Sequence, residues 1–167
     1  MSKQLVGLVG WRGMVGSVLM DRMQAEGDFA LIDPVFFSTS NAGGKAPAMA
    51  TVHTELKDAN DIAELSKCDI IITCQGGDYT KEVFPKLRAA GWNGHWIDAA
   101  SSLRMEDDAV IVLDPVNDDL IKSKLAAGGK KVLCIDCDVG LRNLDISLGL
   151  TDCAPLSFLD ITEGGYC

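Results

Sequence analysis

Three glycines at fixed spacing, Gly10, Gly13 and Gly16, carry the sharpest chemical signal in this chain. They follow the apolar run at residues 5–9 and open an amphipathic stretch with Val15, Val18, Leu19 and Met23 on one face. A strand, a glycine turn and a helix start together build a cradle for phosphate. The turn admits close backbone approach, and the helix N-terminus offers unpaired N–H groups at a positive dipole end. Gly10, Arg12, Gly13, Met14 and Val15 are therefore the expected contacts to a dinucleotide. The spacing is Gly-x-x-Gly-x-x-Gly, and a purely structural turn is the alternative. Arg12 sits inside the turn, facing either a phosphate or solvent.

The next run discriminates between cofactors. A pocket for NAD ends its second strand with an acid that takes the ribose hydroxyls, whereas NADP needs room and partners for a 2′-phosphate. Here Pro34-Val-Phe-Phe37 ends in Ser38, Thr39, Ser40 and Asn41, neutral groups with no carboxylate to repel that phosphate. NADP is favoured, a plain polar turn being the alternative. Two further loops fall at strand C-termini, where ligands of open α/β sheets bind. In one, Cys74-Gln75-Gly76-Gly77-Asp78, the glycines allow close backbone approach, with Gln75 and Gly76 as expected cofactor contacts. In the other, Asp98-Ala-Ala-Ser-Ser-Leu-Arg104 has room beside an arginine able to clamp a phosphate or carboxylate. Pairing with a surface acid is the other reading of Arg104, and Asn117 reads as a helix N-cap.

The elements needed to position these groups alternate along the chain. Strands are predicted at 5–9, 35–37, 70–73, 95–98, 110–113 and 132–135, and helices at 16–26, 61–66, 80–90 and 117–127. Pro85 inside the third helix predicts a late start or a kink there. Gly27, Gly91 and Gly128 fall where helices should stop. This alternation predicts an α/β fold: a doubly wound parallel sheet of the Rossmann type. The dinucleotide-binding domain is expected over 1–133, with a divergent extension at 134–167 where the apolar pattern turns irregular.

The 167 residues suffice for one domain with a real core, and a 47% hydrophobic share fits a compact protein. A formal net charge of −9 argues against nucleic acid, whose backbone rewards clustered Lys and Arg. No apolar run reaches the roughly 18 to 20 residues of a bilayer span, and the N-terminus does not read as a signal peptide. Reduced thiols and a cytoplasmic location are expected for the 6 cysteines. Cys68 and Cys74 read as small core residues.

Taken together, these residues resemble the N-terminal half of aspartate-β-semialdehyde dehydrogenase, particularly its bacterial branch. The resemblance rests on Gly10-Trp-Arg-Gly-Met-Val-Gly16, Phe36-Phe-Ser-Thr-Ser40, Gln75-Gly-Gly-Asp-Tyr79, Trp96-Ile-Asp-Ala-Ala-Ser-Ser-Leu-Arg104 and Leu113-Asp-Pro-Val-Asn117. It implies NADP-dependent reductive dephosphorylation of β-aspartyl phosphate to the semialdehyde, with release of phosphate, an early step towards lysine, methionine and threonine. It further implies a cysteine thiolate that attacks the acyl carbon, hydride transfer between nicotinamide and the thioester or thiohemiacetal, and substrate-phosphate binding by Arg104. Counting without gaps from Asn117 puts the nucleophile at Cys137.

The surroundings of Cys137 depart from the family's Gly-Gly-Asn-Cys-Thr. Asp136 and Asp138 flank it, and adjacent carboxylates disfavour a thiolate and a developing oxyanion. Cys134 and Cys137 also fit a redox pair, or two buried thiols at a strand end. For zinc the remaining candidates, Cys153, Cys167, His53 and His95, have no recognisable spacing, and no metal is expected. No counterpart of the family's second half, with its general-base histidine, is recognisable after Val139. Two functions therefore stand side by side: the dehydrogenase, with this chain carrying its cofactor half, and a dinucleotide-binding module that turns nothing over. Self-association is expected where a second domain would otherwise cover apolar surface.

Overall fold

The computed structural model describes residues 3–104 together with 106, 109, 119, 122 and 123. The fold below belongs to the first of two compact units, Met1–Ile111. Strand β1 (Gln4–Val9) leads through the glycine turn into helix α1 (Met14–Ala25). A single 3-10 turn precedes β2 (Ile32–Ser38), and a two-residue strand β3 (Lys57–Asp58) follows a looped segment. Then come α2 (Ile62–Leu65), β4 (Ile70–Thr73), α3 (Gly77–Ala89) and β5 (His95–Asp98).

Among the described residues the five strands are all parallel and lie in the order β3-β2-β1-β4-β5. The chain thus builds outward from β1 in one direction, then returns to its other side with β4. Such a reversal leaves a crevice beyond the carboxyl ends of the central strands. Side chains alternate across the sheet with the period of two that a strand imposes. Val6 and Leu8 of β1, with Phe36 of β2, pack under Met20 and Met23 of α1 and Ala46, Ala50 and Leu56 of the looped segment. Val9, Val35, Phe37 and Ile71 face the other way, against Leu65 of α2 and Tyr79, Val83 and Leu87 of α3. Both faces are covered, so the predicted doubly wound parallel sheet is the observed one.

Four predicted strands are present, β4 and β5 with the predicted bounds, β1 one residue longer and β2 four. Gly27 and Gly91 follow the last turns of α1 and α3 in the left-handed conformation that ends a helix. Asp61 caps α2, its carboxylate accepting from the N–H groups of Ala63 (2.9 Å) and Glu64 (3.2 Å).

Three expectations need correction. Helix α3 starts three residues before the predicted 80 and runs through Pro85. Pro85 and Lys81, whose carbonyl loses its partner, are both exposed, so water can satisfy that oxygen. Helix α1 begins two residues early and buries Gly16, Met20 and Met23, while Val15 and Val18 are exposed. The helix is turned so that Gly16 meets the glycine turn, and the buried stripe follows from that contact. The strand β3 was not predicted. The predicted strands 110–113 and 132–135 lie outside the described residues; of the predicted helix 117–127, Asp119, Lys122 and Ser123 are described and helical.

Candidate functional site

A cleft of about 400 Å³ opens at the carboxyl ends of β1, β2 and β4, at the reversal point of the sheet. It is lined by residues 10–13, by 37–40 and by Cys74 and Gln75. Three stretches far apart in sequence meet there because their strands are neighbours.

The glycine turn is packed against backbone on two sides. A Cβ on Gly10 would stand 2.5 Å from the Gln75 nitrogen and 2.6 Å from the Cys74 carbonyl carbon, and Gly10 itself has φ +72°. A Cβ on Gly16 would stand 2.2 Å from the Gly10 carbonyl oxygen. Only glycine fits at either position, and the result is a turn folded tightly back on the start of α1. Gly13 serves as the N-cap without a side-chain hydrogen bond, and no acidic residue occupies the first turn. The dipole end of α1 therefore opens towards the cleft without a competing carboxylate. A backbone cradle of this shape fits the diphosphate of a dinucleotide.

At the end of β2 the charge arrangement changes character. Arg12 donates from Nη2 to Ser38 Oγ at 2.7 Å. The same oxygen accepts from the N–H groups of Asn41 (3.0 Å) and Ser40 (3.3 Å), which shapes the 39–41 turn. Ser38 is buried, whereas Arg12, Thr39 and Ser40 are exposed to the cleft and solvent. Among the described residues lining the cleft, Arg12 is the one charged side chain. Sequence reasoning read Ser38 as a ligand donor; in the structure it lines the cleft and its oxygen also fixes Arg12 and the turn.

Of the remaining candidates, Met14 and Val15 occupy the first turn of α1, 84% and 52% exposed, outside the cleft lining. Gly76 is the N-cap of α3, beside Gln75 and likewise outside the lining. Arg104 is exposed, its backbone N–H turned back to the Ser101 carbonyl (3.0 Å). Its loop lies close to α3, since a Cβ on Gly77 would meet Ser102 at 3.6 Å. Asp98 holds that loop: its carboxylate accepts from Thr80 Oγ1 (2.6 Å), Trp96 Nε1 (3.3 Å) and the Ala100 N–H (2.8 Å). Asn117, Cys134 and Cys137 lie outside the described residues. Trp11 was missed by sequence reasoning; it lines the cleft and sends its indole N–H to the Phe37 carbonyl (3.0 Å). A tryptophan inside a glycine turn was itself the available signal.

The described cysteines are poor nucleophiles. Burial, and secondarily the Asp98 charge, push the Cys74 thiol up at the cleft wall. Burial, with lesser help from Asp69 and Glu64, pushes Cys68 from 9.0 up to about 12. Between those values the unfolded chain has lost the Cys68 proton and the folded one retains it, so stability is fully present below pH 9 and falls as pH rises towards 12. Peptide-mapped alkylation at pH 8 is expected to leave Cys68 unmodified in the folded chain and to label it in urea. Equal labelling rates in both would contradict its burial.

Among the described residues no group of three or more His, Cys, Asp and Glu can hold a metal ion. No helix among them is long and apolar enough to cross a membrane.

Comparison with known proteins bears on this architecture directly. A family model described as semialdehyde dehydrogenase, NAD binding domain, matches residues 5–124. Aspartate semialdehyde dehydrogenase from Francisella tularensis is 48% identical, with a TM-score of 0.69, over 89% of this chain and 41% of that one. Aspartate semialdehyde dehydrogenase II from Vibrio cholerae shares the fold at 20% identity and a TM-score of 0.54, over 76% of this chain and 36% of that one. The chain thus spans less than half the length of these relatives. By the family match over most of its length, the chain belongs to the semialdehyde dehydrogenases and carries their NAD-binding domain.

Proposed function

We propose that this chain supplies the cofactor half of an NADP-dependent aspartate-semialdehyde dehydrogenase acting between β-aspartyl phosphate and aspartate semialdehyde. The observation that carries the cofactor choice is the end of β2. Arg12 is held there by Ser38, and among the described residues no carboxylate lines the cleft. A 2′-phosphate at that point gains a guanidinium partner, whereas the ribose hydroxyls of NAD find no acid to accept their hydrogen bonds.

In this reading Gly10, Gly13, Met14 and Val15 offer backbone at the turn and the start of α1 to the diphosphate. Thr39 and Ser40 add hydroxyl donors beside Arg12, and Gln75 and Gly76 border the path towards the reacting end. The bound dinucleotide supplies or accepts the hydride. Arg104, on the loop held by Asp98 beside the N-terminus of α3, holds the phosphate of the substrate. Cys137 is the proposed nucleophile, and the domain boundary is proposed at 133. Lysine, methionine and threonine synthesis in the cytoplasm is the corresponding setting. Self-association through apolar surface that a second domain would otherwise cover belongs to the same proposal.

The second reading is a dinucleotide-binding module without turnover. It is favoured by Asp136 and Asp138, which flank Cys137 in the sequence and disfavour a thiolate there. One assay separates the two: NADPH formation from NADP, aspartate semialdehyde and phosphate, with Cys137→Ala as control. The dehydrogenase reading expects turnover that Cys137→Ala abolishes. NADP binding without turnover assigns the polypeptide to the second reading, and tighter binding of NAD than NADP contradicts the cofactor choice.

A further inference from the structure

We propose that Trp11 is a positioning residue for nucleotide selectivity, its indole plane holding the Arg12 guanidinium at the end of β2. The inference rests on the NADP reading above and extends it to a residue that does not itself meet the phosphate. Trp11 is fixed from two sides. Its indole N–H donates to the Phe37 carbonyl at 3.0 Å, and its ring stands edge-on to Phe36 at 5.2 Å between centroids. Phe36 is fully buried, so the platform rests on the core of the sheet.

The Arg12 guanidinium carbon lies 5.1 Å from the centre of this ring, within the range of a cation–π contact. From there its Nη2 reaches Ser38 Oγ at 2.7 Å. An exposed arginine otherwise gives up many side-chain rotamers when it binds an anion. The ring and the Ser38 hydroxyl remove much of that freedom beforehand, and preorganisation of this kind converts into affinity. Because Arg12 is the one charged side chain among the described residues lining the cleft, its placement bears on a 2′-phosphate and hardly on a neutral ribose. Trp11 therefore governs selectivity through Arg12.

The test is calorimetric titration of the full chain with NADP and with NAD, for wild type, Trp11→Leu, Trp11→Phe, Arg12→Ala and the Trp11→Leu/Arg12→Ala double variant. Trp11→Leu retains apolar packing on Phe36 and removes the aromatic plane; Trp11→Phe retains a plane and removes the indole N–H. Trp11→Leu is expected to weaken NADP about two- to fivefold, the worth of an exposed cation–π contact, and to leave NAD unchanged. Trp11→Phe should keep most of the selectivity, and Trp11→Leu should add nothing once Arg12 is alanine. Equal losses for NADP and NAD would reduce Trp11 to a support of the turn and overturn the proposal. An unchanged NADP-to-NAD ratio in Trp11→Leu, with wild type preferring NADP, overturns the role of Trp11 and leaves the NADP reading standing. A wild type with no preference for NADP overturns both.

Discussion

Gly10→Ala is expected to destabilise the fold by about 2 to 5 kcal/mol and to abolish dinucleotide binding. Two costs combine. An L-residue at φ +72° costs about 1 to 2 kcal/mol, and the new methyl group meets backbone of the β4 exit at 2.5 and 2.6 Å. Backbone cannot step aside as a flexible side chain does. The relief available is to part the ends of β1 and β4, which opens the floor of the cleft. Gly16→Ala should behave similarly, since its Cβ would meet the Gly10 carbonyl oxygen at 2.2 Å. Gly13→Ala is the informative contrast. It stands at φ −72°, and its Cβ would come no closer than 3.4 Å to that same oxygen, so stability should stay within about 1 kcal/mol of wild type. Urea unfolding of the three variants at unchanged slope checks the ordering. A Gly10→Ala chain as stable as Gly13→Ala would contradict the described packing of the turn.

Arg12→Ala carries the second large effect, on selectivity instead of stability. Charge-assisted hydrogen bonds contribute about 1.5 to 3 kcal/mol, so NADP binding should weaken roughly 10- to 100-fold. NAD binding should barely change, because the group removed faces the position proposed for the 2′-phosphate. The guanidinium is exposed, and on the proposed NADP reading raised ionic strength should therefore shrink the preference of the wild type. Calorimetric titration with both nucleotides at two salt concentrations reads the effect. Arg12→Ala with an unaltered NADP-to-NAD ratio would sink the assignment of Arg12.

Much of the sheet was legible in the sequence because buried parallel strands are short apolar runs between breakers, as in residues 5–9 and 70–73. The two-residue β3 has no such signature: Lys57 and Asp58 are polar, and what makes them a strand is the neighbouring end of β2. The early start of α3 was hidden because Gly76, Gly77 and Asp78 read locally as a loop. The face of α1 was misread for a related reason, since glycine carries no apolar weight in a pattern. Its absent side chain nevertheless lets the helix press Gly16 into the turn. At the site, residue types alone indicated Arg12, Ser38, Thr39, Ser40 and Gln75, and the fold brings these five into one cleft. The bond between Arg12 and Ser38 spans 26 residues, and no local pattern announces it. Trp11 was hidden likewise, its role depending on the Phe36 ring and the Phe37 carbonyl of a different strand.

The three strand ends that line the cleft belong to the innermost strand of the sheet and its two immediate neighbours. A molecule gripping all three at once is a clasp on the sheet, so separating β1 from either neighbour would first require its release. Occupancy then adds to global stability as RT ln(1 + [L]/Kd), about 2.7 kcal/mol at a hundredfold excess over Kd. In a cell rich in nucleotide, the tolerance of this domain for mutation would be set in part by its ligand's concentration.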